Sequence, residues 1–130
     1  MKIIIHATGS SEDGKGEWSY SVEEQDVDGL LELLHTETGI SSGTTTRQMK
    51  LMAILKGLSY VKSLDMGCPV LVISDCIWCI KCIKKKFDCV SDNEFKRDKV
   101  SRGYVQYLQE IWWKLGEISV EFQIDANHGN

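Results

Sequence analysis

Asp75 is the residue of this 130-residue chain best placed for chemistry. It closes Cys68-Pro-Val-Leu-Val-Ile-Ser-Asp75, whose four consecutive aliphatics, Val70 to Ile73, read as a strand buried on both sides. A carboxylate at the tip of such a strand lies at the C-terminal edge of a sheet, where α/β folds hold ligands and metals. Cys76 to Lys86 reads as the helix that follows, so Asp75 stands at a strand-to-helix junction. A hard cation wants several oxygens around it. What Asp75 does therefore depends on which other side chains reach it.

Cys76, Cys79 and Cys82, with Cys89 further on, share the spacing of iron–sulfur ligands. On one helix face three thiols cannot wrap a cluster, and a buried row of small hydrophobes is the better reading. They are also too close to bridge one another without distorting the helix, and the total of five cysteines is odd. Reduced thiols in a cytoplasmic setting follow. His6 and His35 fall on expected strands with no partner evident. Trp112 and Trp113, about 100° apart on a helix, cannot both face the core, so one is expected to pack on the sheet.

Composition excludes several classes. Hydrophobic residues make up 42% and charged residues 26%, the balance of an ordinary soluble domain, and the length suits one domain spanning 1–130. No apolar run approaches the roughly 20 residues that cross a bilayer. Met1-Lys-Ile-Ile-Ile-His enters a strand with no room for a signal segment. The net charge of −4 hides a segregation: Lys81 to Arg102 holds eight basic and four acidic residues, and the rest holds seven and fifteen. One basic segment on an acidic body is a nucleic-acid footprint in form, although a lysine run such as Lys84-Lys85-Lys86 also suits a solvated helix end.

These side chains need elements to hold them. Lys2 to Ala7 reads as a first strand, Thr8 to Gly16 as a turn-rich connection, and Glu17 to Glu24 as an alternating partner strand with Trp18, Tyr20 and Val22 inward. Leu30 to Thr38 fits a helical turn through Leu30, Leu31, Leu33 and Leu34, but its place after a hairpin favours a third strand. Thr44 to Leu64 is the clearest helix, with a threonine as N-cap and Met49, Met52, Ala53, Leu55 or Lys56, and Tyr60 recurring at spacings of three and four. The fourth strand, Pro69 to Ser74, and the cysteine-bearing helix come next. Gly103 to Leu115 is a helix with Tyr104, Tyr107, Leu108, Ile111 and Trp112 on one stripe, and Ile118 to Ile124 alternates as a last strand. The order βββαβααβ implies a mixed five-stranded sheet, its first three strands antiparallel, flanked by helices.

In that order the chain resembles the type 1 ribonuclease H family. His6-Ala-Thr-Gly-Ser10 is similar to the family's first-strand motif, aromatic-Thr-Asp-Gly-Ser. Thr44-Thr-Thr-Arg-Gln-Met-Lys-Leu-Met-Ala53 is similar to its helix start, Thr-Thr-Asn-Asn-Arg-Met-Glu-Leu-Met-Ala. Ser74-Asp75 before Cys-Ile-Trp resembles Thr-Asp-Ser followed by a residue and an aromatic, and Asn127-His-Gly129 resembles the Gly-His-x-Gly loop. The resemblance implies an RNase H-like α/β fold. It also implies hydrolysis of the RNA strand of an RNA·DNA hybrid by two Mg²⁺ or Mn²⁺ ions roughly 4 Å apart, held by four acids.

Against that pattern the residues disagree. Thr8 stands in place of the first-strand acid and Lys50 in place of the helix acid, while Asp75 alone is retained. The fourth acid belongs to a terminal helix that the chain, ending at Asn130, is expected to lack, which would leave an apolar sheet face for a homodimer or protein partner to cover. Lys50 is expected to pair with Asp75 and occupy metal space. His128, which the resemblance assigns to proton transfer or product release, then has nothing to assist. The leading expectation is a degenerate domain with no cofactor, gripping duplex or hybrid through Arg47, Lys84, Lys85, Lys86, Arg97 and Arg102. The rivals are a divergent metal-dependent nuclease, in which Glu12, Asp13 or Asp125 joins Asp75, and a structural docking module.

Overall fold

Asp13 and Gly14 both adopt left-handed backbone, φ 54° and 78°, the two-residue turn that matches the twist of a tight hairpin. That turn carries β1 (Lys2–Glu12) directly into β2 (Lys15–Gln25), paired antiparallel from Lys2↔Gln25 to Glu12↔Lys15. The stretch Thr8 to Gly16, expected as a connection, is therefore almost all strand. Its serines and glycines are tolerated because the cross-strand ladder runs on through them. The computed structural model describes residues 1–84, 101–116 and 119–125, and for 101–105 the backbone only.

β3 (Leu31–Ser42) pairs antiparallel with β2 and runs four residues past the expected end. Its register slips by one residue: Val22 faces His35 while Glu23 faces Leu33. Leu34, the extra residue of this bulge, is half-buried against the core. β4 (Val70–Ser74) and β5 (Val120–Ile124) run parallel to β1, giving the order β3-β2-β1-β4-β5. This is the mixed five-stranded sheet of an RNase H-like fold, as expected. One detail differs: in β4 only Val70, Val72 and Ser74 are buried, while Leu71 and Ile73 are half-buried, so the strand is not enclosed on both sides. In β5, Val120 and Phe122 pack on the core but Ile124 is exposed.

α1 (Thr46–Leu64) starts where Thr45 Oγ1 accepts from the Gln48 amide and Gln48 Oε1 accepts from the Thr45 amide, a reciprocal cap. Asp65, at φ 50°, ends it. The buried set is broader than the expected stripe. Met49, Leu51, Ala53, Ile54, Leu55, Leu58 and Val61 are covered because α1 lies between the sheet and the final helix, while Met52 and Tyr60 are half-buried and Lys56 is exposed. Helix and strand meet closely at Gly9, where a Cβ would lie 2.5 Å from the Lys50 nitrogen.

α2 (Ile77–Lys84) buries Cys79, Ile80, Cys82 and Ile83. It begins one residue after Cys76, which is thus outside the helix that was expected to contain it. α3 (Ser101–Leu115) buries Leu108 and Ile111. Trp112 Nε1 donates to the Ile83 carbonyl at 3.1 Å, which ties α3 to the end of α2. Trp113 points outward, its ring 5.1 Å from the Lys62 ammonium. The two tryptophans do diverge, but the inner one reaches a helix end. Among the described residues no helix is long and apolar enough to cross a membrane.

Candidate functional site

Pairing of the three parallel strands decides what stands beside Asp75. Ala7 faces Ser74, and Ser74 faces Ile124. One step further along each strand come Thr8, Asp75 and Asp125, abreast at the C-terminal edge. The Asp125 amide donates to the Ser74 carbonyl at 2.9 Å and holds the third strand tip in line. His6, Ala7, Thr8, Ile73, Ser74, Asp75 and Asp125 line a small cavity of about 70 Å³. This edge is also where the chain order reverses across the sheet, between β1 and β4, the usual ligand crevice of open α/β sheets.

Lys50 enters this edge from the second turn of α1, whose backbone is held close to β1 by the Gly9 contact. Its Nζ lies 2.9 Å from Asp75 Oδ1, and the two side chains are only 17% and 22% exposed. The pairing expected from sequence is made. Asp75 Oδ1 is shut off from solvent and accepts no aligned hydrogen bond. The ammonium supplies charge but not good donor geometry, so this oxygen's partner is electrostatic.

The Mg²⁺ or Mn²⁺ that the resemblance implies does not fit these residues. An ammonium stands against the Asp75 carboxylate, and the neighbouring strand offers Thr8. Mg²⁺ demands a near-octahedral oxygen shell at about 2.0–2.1 Å. Among the described residues no three His, Cys, Asp or Glu side chains converge as a metal group. Of the acids considered as substitutes, Glu12 and Asp13 lie at the hairpin tip with Ser10, Lys15 and Glu17, away from Asp75. Asp125 alone reaches the same cavity. A signal for it existed in the sequence: β4 and β5 are each followed directly by an aspartate, and parallel pairing puts such ends side by side.

Arg47 is one turn before Lys50 and exposed, its guanidinium 4.5 Å over the Trp78 ring. On the outer side of α2, Lys81 and Lys84 are exposed too. Lys85, Lys86, Arg97 and His128 lie outside the described residues, as do Cys89, Ile118 and the side chains of Arg102 and Tyr104. His6 and His35 have partners that sequence did not suggest. His6 Nε2 lies 2.8 Å from Glu23 Oε1, and the His35 ring stacks on Tyr60 at 4.1 Å. Both depend on cross-strand or sheet-to-helix register. Tyr20 donates to Glu37 at 2.6 Å, and burial, then this carboxylate, push its phenol well above the usual range.

Cys68, Cys76, Cys79 and Cys82 are all thiols. Cys76 caps α2: its Sγ accepts from the Cys79 amide at 3.3 Å and its carbonyl accepts from the Ile80 amide at 3.2 Å. The Cys79 thiol's hydrogen bond lowers the Cys76 thiol to about 6 against the opposing effect of burial, with the Cys79 amide, Lys50 and Arg47 adding to the lowering. The same contact pushes Cys79 upward.

No family model matches this sequence, and no curated protein matches it. Solved structures do match in fold. LC9-RNase H1, described as a type 1 RNase H with the type 2 active-site motif, superposes with a TM-score of 0.77 at 15% identity over 98% of this chain. This chain spans 64% of that protein's length. RNase H1 from the halophilic archaeon Halobacterium salinarum NRC-1 gives 0.64 at 13% identity, covering 98% of this chain and 89% of that one. LC11-RNase H1 in complex with RNA/DNA hybrid gives 0.63 at 13% identity, covering 98% and 88%. The fold is RNase H-like.

Proposed function

We propose that this RNase H-like domain grips duplex or hybrid nucleic acid without cutting it. The observation that carries the loss of cutting is the Lys50–Asp75 ion pair at 2.9 Å, at the strand edge where the resemblance calls for a metal-bound carboxylate. A dication approaching Asp75 meets a cation already there. At an effective dielectric near 20, each like charge at about 4 Å opposes a unit charge by roughly 4 kcal/mol, and a dication by about twice that. Asp125 adds one carboxylate to the edge, which with Asp75 makes two acids and a lysine.

Support for the grip comes from exposed cations on the helices next to the site. Arg47, its guanidinium over the Trp78 ring, stands one turn before Lys50, and α2 carries exposed Lys81 and Lys84 on its outer side, Lys84 reaching the far end of the sheet beside Leu115 and Val120. Guanidinium and lysine groups engage phosphates, and an aromatic face stacks on bases. The LC11 relative of the same fold is seen with an RNA/DNA hybrid. Lys85, Lys86, Arg97 and Arg102 extend the same basic segment in sequence.

The test joins a cleavage assay to a binding titration on one RNA·DNA hybrid. The expected result is no cleavage above background in Mg²⁺ or Mn²⁺, with affinity that falls linearly in log–log form as salt rises. Cleavage in Mn²⁺ that requires Asp75 overturns the reading in favour of a divergent nuclease. Absence of salt-dependent binding overturns it in favour of a module that docks a protein or a second copy.

A further inference from the structure

The sequence Cys76-Ile-Trp-Cys79 straddles the start of α2, directly after a buried parallel strand. Within a helix, thiols three residues apart are held in a geometry that resists bridging. Cys76, however, is the N-cap and has left the helix, and its sulfur faces back over the first turn toward Cys79. Helix dimensions put Cα atoms three residues apart at about 5 Å, inside the roughly 4.4–6.8 Å range of disulfides. Cys82, one turn further on, has no such freedom because Cys79 and Cys82 both lie inside α2.

We propose that Cys76 and Cys79 form a redox-active dithiol that exchanges with low-molecular-weight disulfides. A C-x-x-C pair at a helix start after a strand is the arrangement that suits thiol–disulfide exchange. Exposure sets the order of attack: Cys76 retains 8% of its surface and Cys79 none. Cys76 Sγ, as thiolate, attacks one sulfur of a disulfide RSSR, forming the mixed disulfide Cys76–S–S–R and expelling RS⁻. Cys79 attacks the Cys76 sulfur as its proton passes to the departing RS⁻, which leaves as the second RSH. The protein loses two electrons and two protons, and RSSR becomes two RSH. The pair touches both walls of the cleft, since Cys76 follows Asp75 in the chain and Cys79 Sγ lies 3.9 Å from the Arg47 carbonyl. The proposal does not depend on whether the domain binds nucleic acid.

The reduced full chain is incubated with glutathione disulfide, quenched with an alkylating agent and mapped by peptide mass spectrometry. Wild type should gain a Cys76–Cys79 disulfide that dithiothreitol reverses, and Cys82→Ser should behave the same way. Cys79→Ser should stop at glutathione bound to Cys76. Cys76→Ser, in which the new hydroxyl keeps the helix cap, should give neither product, with circular dichroism showing the fold retained. If Cys76 and Cys79 stay fully alkylatable in folded wild type, they are core hydrophobes and the proposal is wrong. A disulfide that instead maps to Cys68, Cys82 or Cys89 overturns it equally.

Discussion

Reversing the charge at Lys50 is the sharpest test of the cleft. The ammonium and Asp75 Oδ1 are 2.9 Å apart, and at an effective dielectric near 20 that separation is worth roughly 6 kcal/mol of gross attraction before desolvation is subtracted. Both side chains are less than a quarter exposed, so removing one partner should cost about 3–5 kcal/mol, much of it from the stranded carboxylate. Lys50→Glu goes further, because it sets two anions against each other beside Asp125. A dication relieves that repulsion. The expected outcome in EDTA is a melting temperature well below wild type. Mg²⁺ at a hundred times its dissociation constant should then return about 2.7 kcal/mol. For a domain of this size that is roughly 10 °C. Thr8→Asp added to Lys50→Glu should bind more tightly still, measured by calorimetry. Lys50→Met, which removes the cation without adding an oxygen, should show little recovery. The reasoning fails if wild type gains as much from Mg²⁺ as Lys50→Glu does, or if Lys50→Glu is indifferent to the ion.

Gly9→Ala places a methyl 2.5 Å from backbone atoms of Met49 and Lys50, so α1 must shift outward; denaturant titration should show a loss of about 1–3 kcal/mol. Thr45→Ala removes the α1 cap and should cost about 1 kcal/mol by the same measurement. Arg47→Ala should weaken hybrid binding for every sequence tested and flatten the log–log salt slope by about one. The Cys76 thiolate should form with a midpoint near pH 6, followed by ultraviolet absorbance against Cys76→Ser. Since its folded value lies below that of a free thiol, this group's contribution to stability is complete above about pH 9 and lost as the pH falls through 6. A midpoint near that of a free thiol would refute the assignment.

How much of this was visible in advance differs by element. α1 announced itself through its threonine cap and apolar spacing, and β4 through Val70 to Ile73. The length of β1 was hidden because Thr8-Gly-Ser-Ser resembles a loop in isolation. It is strand because Asp13-Gly14 turns the chain tightly and β2 supplies partners as far as Lys15. Asp125 was named with Glu12 and Asp13 as an acid that could join Asp75, but sequence could not choose among the three, for a related reason. Nothing local ties it to Asp75, fifty residues earlier, until parallel pairing brings both strand tips level. Cys76 was read as the first residue of the helix, and its position as cap depends on where the first intrahelical hydrogen bond falls.

Residue types alone put a threonine, Thr8, and a lysine, Lys50, at two positions where the resemblance expects acids. Charge is a property of the side chain and needs no coordinates. Where that lysine's nitrogen ends up, and that Cys76 faces Cys79 across a helix start, are distances between groups. Distances follow from strand register and from α1 pressing on β1 at Gly9, which the packed fold alone specifies.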